Sequence, residues 1–224
     1  MSGAQLRSAR EGLGLTQQEA ARRWDVSQAY LSLMEAGRRP VPHRLAKRLA
    51  GDAPSLATAL PLTSDRLDAA DHARLLGSLG YPGFVYLAAK RKVTNPAALV
   101  MSALQAPQVP ARVTEALPWL LVTFSDLDWH WLVDHARLAN RQNRLGYLVV
   151  LARQLAEQRG DPATTAVLHK VELVLEEARL VKEDSLGGTL TEAERSFLRK
   201  HRPPAAAHWN LLTTLKVEDL RYVA

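Results

Sequence analysis

"RRWDVSQAYLSLMEAG", residues 22–37, reads as two short helices meeting at a tight turn. The first continues a helical run to about Trp24, Ser27 supplies an N-cap for the second, and Gly37 is the expected terminator. The corner falls on Asp25, where such turns ordinarily carry glycine. Aspartate is one of the few other residues that enter the left-handed region, because its short side chain bonds the local backbone. On the second helix, a rotation of roughly 100° per residue places Gln28, Ser32, Ala29 and Leu33 at about 0°, 40°, 100° and 140°. Tyr30, Met34 and Leu31 then fall at about 200°, 240° and 300°. One arc is short or polar and the other is apolar. A helix with a free face of this kind suits a DNA major groove, with Ala21 (Ala20 beside it) as the small contact residue and Val26, Leu31 and Met34 as anchors.

Around this stretch the chain keeps a helical grammar. "TQQE" (16–19) is a capping box that opens the helix before the turn. A first helix is expected from about Ser2 to Gly12, with Leu6, Ala9 and Leu13 on one face. "RRPVP" is a loop, a fourth helix is expected over roughly 42–50, and the proline-containing 51–64 reads as a linker. The sequence thus divides into domains 1–56 and 57–224. Residues 1–50 hold nine Lys/Arg against four Asp/Glu, whereas 51–224 hold 20 against 19. A basic segment joined to a near-neutral one points to a polyanion at the first end.

Composition narrows the class. Ala, Leu, Arg and Glu abound and strand patterns are scarce, so the fold class expected is all-α, with a four- to five-helix N-terminal domain and a larger all-helical one. The absence of cysteine excludes disulfides, thiolate nucleophiles and cysteine–zinc sites. No apolar run approaches a membrane span and the start has no apolar signal core, so a soluble cytoplasmic protein is expected.

Residues 6–50 resemble the Cro/phage-repressor (XRE) helix-turn-helix family through Arg10, "LGLTQ" (13–17), Ala21, "VS" (26–27), Glu35 and Gly37. The spacing agrees over the whole stretch, about a fifth of the chain; Asp25 at the turn departs from the pattern. The resemblance implies double-stranded DNA as partner and a structural pair between Arg10 and Glu35. It further implies that Gln28, Ala29, Ser32 and Leu33 read bases, Gln28 by a bidentate bond to adenine and Ala29 and Leu33 by contact with thymine methyls. Gln17, Arg38, Arg39 and Arg44 are the implied phosphate contacts, with Lys47 a solvated or further one.

Beyond residue 64 the sequence offers helices without a chemical motif. Helices are expected over 65–79, over "YPGFVYLAAK" (81–90), after the Asn95 cap, over 109–124 with a break or kink at Pro118, and after an Asp126 cap. That last is one long helix or two joined near Asn140–Asn143. Another is expected from Asp161 to about Asp184, then one after the capping box "TEAE" (191–194), and one or two after "HRPP". Trp119, "WHW" (129–131) and Tyr147 read as core. His130 and His135 lack the spacing of a metal pair, and neither "YPGF" nor "SLGG" is a phosphate loop. No catalytic residue, metal or cofactor is expected, and the chain reads as a non-enzyme. The amides of "NRQNR" (140–144) suit bridging backbones between helices. Residues 140–157, "NRQNRLGYLVVLARQLAE", and 202–212 resemble helical companions of repressor-type domains in antitoxin-like regulators paired with nucleotidyltransferase-type toxins. The expected function is a dimeric DNA-binding repressor on a two-fold operator, the alternative an antitoxin-like protein that binds a toxin and autoregulates.

Overall fold

The computed structural model describes residues 3–12, 14–42, 45, 49, 57, 60–62, 67–88 and 94–220. The chain divides into two compact units, residues 1–55 and 56–224.

In the first unit, α1 (Gly3–Gly12), α2 (Gln17–Arg23) and α3 (Gln28–Glu35) surround a small core of Leu6, Ala20, Ala21, Trp24, Leu31, Met34, Leu45 and Leu49. Leu45 and Leu49 are helical, one turn apart, as the fourth helix requires; Leu13, Arg44, Lys47 and most of 51–64 lie outside the described residues. Trp24 ends α2 as its C-cap, as expected from the sequence, and is also a core residue, 2% exposed.

The second unit is built around α8 (Gln142–Gln158), whose first eleven residues are all buried. Preceding it are α4 (Ala69–Ser78), a 3-10 helix (Pro82–Leu87), α5 (Pro96–Gln105), α6 (Ala111–Thr123) and α7 (Trp129–Leu138). After it come α9 (Pro162–Glu176), β1 (Asp184–Ser185), α10 (Glu192–His201), α11 (Pro204–His208), β2 (Leu211–Leu212) and a last 3-10 turn, Val217–Asp219. α8 touches α6, α7, α9, α11, both strands and the last turn. A helix buried on every side needs small or apolar residues all round. At Gly146 the reason is concrete, because any Cβ there would fall within the indole of buried Trp209.

Several expectations are corrected. Residues 82–87 wind as 3-10, not α. Asp128, not Asp126, caps α7 by accepting from Trp131 N at 2.9 Å. Pro118 does not break α6, which runs through it from Ala111 to Thr123 although residue 118 has no N–H to donate. Of the two forms expected for the long segment, the structure has two helices, split at Asn140 with φ 55°. α9 ends at Glu176, well before Asp184. The parallel β1–β2 pair, Asp184 opposite Leu211 and Ser185 opposite Leu212, is an addition to a helical fold.

The buried amides at the α7–α8 junction do bridge backbones. Asn143 pairs both ways with Leu180, donating to its carbonyl and accepting from its N–H at 2.8 Å each, and Gln142 donates to Ala178 O at 3.1 Å. Tyr147 donates its hydroxyl to Leu215 O, and burial pushes that phenol well above its ordinary pKa. Trp119 packs edge-on to Tyr81, with ring centroids 5.2 Å apart.

Candidate nucleic-acid interface

The turn between α2 and α3 forms because both of its ends are capped. Thr16 Oγ1 accepts from Glu19 N at 3.3 Å while Glu19 accepts from Thr16 N at 2.8 Å, which completes the box that starts α2. α2 ends with Val26 N–H on Ala21 O (3.0 Å) and Asp25 N–H on Arg22 O (3.4 Å). These are the two bonds of a Schellman ending, which demands a left-handed residue at its corner. Asp25 occupies that corner with φ 55°. Ser27 then caps α3 by accepting from Tyr30 N at 3.1 Å. The same ending recurs after α3, with Arg38 N–H on Leu33 O, Gly37 N–H on Met34 O, and Gly37 at φ 70°.

A single carboxylate ties the three helices. Glu35, at the end of α3, receives Arg10 Nε on Oε1 at 2.7 Å and Arg10 Nη2 on Oε2 at 3.3 Å. Gln17 Nε2, at the start of α2, donates to Oε2 at 2.9 Å, and Arg10 Nη1 reaches Leu15 O at 2.9 Å. Burial acts to raise the Glu35 carboxyl, but the bonds from Arg10 and Gln17 outweigh it and hold its pKa below the ordinary value. The Glu35 side chain is 4% exposed, so removing Arg10 would strip its charge of its ion-pair partner and leave the Gln17 amide as its donor, which destabilises the unit. The pair and the caps together fix how α3 is presented.

What α3 presents follows the angular reading. Gln28, Ala29, Ser32 and Leu33 are exposed, Leu31 and Met34 are wholly buried, and Tyr30 is half-buried. Among the described residues, the side chains of Gln28 and Ser32 have no intramolecular hydrogen-bond partner, so their donors and acceptors face outward uncommitted. Arg38 and Arg39 follow at the helix end, both exposed. One N–H of the Gln17 amide is committed to Glu35, which orients the side chain at the start of α2. Arg44 lies outside the described residues. Arg22 and Arg23, exposed in the last turn of α2, are basic positions that the angular analysis of α3 alone did not reach.

Among the described residues no helix is long and apolar enough to cross a membrane, and no group of three His, Cys, Asp or Glu is placed to hold a metal. Residues 3–70 match a family model described as a helix-turn-helix domain, in agreement with the repressor-like reading of residues 6–50. That match spans the whole first unit and runs into the first residues of the second. No curated protein and no solved structure matches the chain. Nothing in these comparisons extends the antitoxin resemblance of 140–157 and 202–212.

Proposed function

We propose that the protein is a sequence-specific transcriptional repressor, not an enzyme, and that it binds a two-fold operator as a homodimer. The observation that carries this reading is the face of α3. Among the described residues its polar side chains, Gln28 and Ser32, have no hydrogen-bond partner, while Leu31 and Met34 on the opposite face are buried and both helix ends are capped. Gln28 reads a base through its amide, Ser32 adds a hydrogen bond, and Ala29 and Leu33 contact thymine methyls. Arg38 and Arg39 hold phosphates, and the second N–H of Gln17 is free to do the same.

A single module of this size buries little DNA surface, and pairing is the usual route to useful affinity. A groove between α7 and α9 suits a second copy of the chain. Trp129, Val133 and Val174 line it, and Asp134, Arg137 and Lys170 give it charges of both signs. A patch with both signs complements itself across a two-fold axis.

The test is selection from a randomised duplex library at two salt concentrations. Gln28→Ala should cost about 1–3 kcal/mol at the preferred site and relax choice at one base pair. Arg38→Ala should weaken all sequences alike and lower the salt slope by about one unit, because a phosphate contact releases a counterion without reading sequence. Unchanged base preferences in Gln28→Ala would sink the assigned docking.

A further inference from the structure

Arg141 stands at a charge imbalance in the second unit. It occupies the N-cap position of α8, where no side chain caps the helix. Its neighbour Arg144 takes both oxygens of Asp184, Nε to Oδ2 and Nη2 to Oδ1 at 2.7 Å each, and donates Nη1 to Leu104 O at 3.0 Å. Arg141 is left with two long approaches from Nη1, 3.5 Å to Asp184 Oδ2 and 3.4 Å to Asn140 O. Its Nε is buried without an acceptor. Among the described residues its Nη2 has none either. Two guanidinium groups thus share one carboxylate. Burial and the Arg144 charge push the Arg141 pKa below the ordinary arginine value, against a smaller opposing effect of Asp184.

Beside Arg141 lies a cavity of about 460 Å³ lined also by Leu67, Ser102, Gln105, Ala106, Pro107 and Ala139. That is the size range of small-molecule sites, which pair mostly apolar walls with a few placed polar groups. Ser102 is already used, its Oγ lying 3.2 Å from His72 Nε2 and accepting from Leu67 N at 3.3 Å. The Gln105 amide has no intramolecular partner among the described residues. A smaller cavity of about 340 Å³, also lined by Arg141, has Lys182, Glu183 and Asp184 in its wall.

We propose that the larger cavity binds a small monocarboxylate with an apolar body, its carboxylate held by the Arg141 guanidinium and the Gln105 amide. The planar guanidinium fork matches a carboxylate with two parallel N–H bonds. A phosphate dianion calls for a second cation, and among the described residues Arg141 is the one charged residue in this lining. The walls formed by Leu67, Ala106, Pro107 and Ala139 accept the apolar body. The site stands independently of the DNA reading, and it gives the second unit a sensing task.

Thermal melts and calorimetry of the full chain test it, with benzoate and hexanoate as probes, their amides as uncharged controls, and inorganic phosphate as the polyanion control. The carboxylates should raise the Tm of the wild-type protein by ~2–4 °C with saturation, and neither amides nor phosphate should. Arg141→Gln should abolish the shift. Ala106→Trp, which fills the cavity and leaves the arginine in place, should abolish it too and decides the matter if Arg141→Gln folds poorly. No shift with either carboxylate, an equal shift in Ala106→Trp, or an equal shift with phosphate would each overturn the assignment.

Discussion

Asp25 holds the helix-turn-helix corner at a backbone conformation that L-residues disfavour. Its φ of 55° is set by the two bonds that end α2, so the conformation belongs to the turn and not to the side chain. Glycine there relieves about 1–2 kcal/mol of left-handed strain and loses about 0.5–1 kcal/mol to a more flexible unfolded chain. Asp25→Gly should therefore be neutral or slightly stabilising. Asp25→Val should be clearly destabilising, because a β-branched side chain clashes at positive φ. Melts followed by Trp24, the one tryptophan before residue 56, read the first unit directly. A wild-type melt for Asp25→Val would rule out this account of the corner.

At the scale of the element, one ending recurs. The two-bond cap with a left-handed corner closes α2 at Asp25, α3 at Gly37, α4 at Gly80, α7 at Asn140 and α8 at Gly160. The Gly37 corner was legible in the sequence, because glycine announces a helix end. The Asn140 split stayed ambiguous with a single long helix, because asparagine also sits on helix surfaces. Two neighbouring aspartates, 126 and 128, suit a cap equally well, and only the backbone path selects Asp128. A two-residue β-pair carries no periodicity, so β1 and β2 could not be read. The free face of α3 was legible because the period of 3.6 sorts its eight residues cleanly; the bond from Gln17 to Glu35 was not, because it depends on how α2 approaches α3. Packing also reverses propensity in α8. Alanine favours a helix over glycine by about 0.8–1 kcal/mol, yet Gly146→Ala should destabilise by about 1–3 kcal/mol, because the new methyl meets a rigid, buried indole. Chemical denaturation of the variant measures the sign, and a gain in stability would contradict the Trp209 contact.

For the whole molecule, the charge split assigns separate tasks to the units. On the proposed reading the basic end meets phosphate, and the near-neutral end supplies pairing and carries the cavity beside Arg141. Val174 in the α7–α9 groove is 46% exposed, so a charge there leaves the core intact. Val174→Glu should convert a dimer to a monomer in sedimentation and weaken binding to a two-fold site, with half-site binding unchanged. A wild-type chain that sediments as a monomer while binding its operator tightly would remove this groove from the account.

The contact of Trp209 with Gly146 also sets an order of synthesis. Every described core residue of the first unit precedes residue 50, whereas the core of the second runs from Ala57 to Leu220. At ~5–20 residues per second, the ribosome takes roughly 10–30 s to pass from one boundary to the other. From the completion of α8 at Gln158 until Trp209 is made, roughly 3–10 s at that rate, the N-terminal unit is tethered to an α8 whose indole cover and β2 partner do not yet exist. A chain released in that window carries the whole helix-turn-helix unit and an α8 packed on α6 and α7 but open on the side that Trp209 closes.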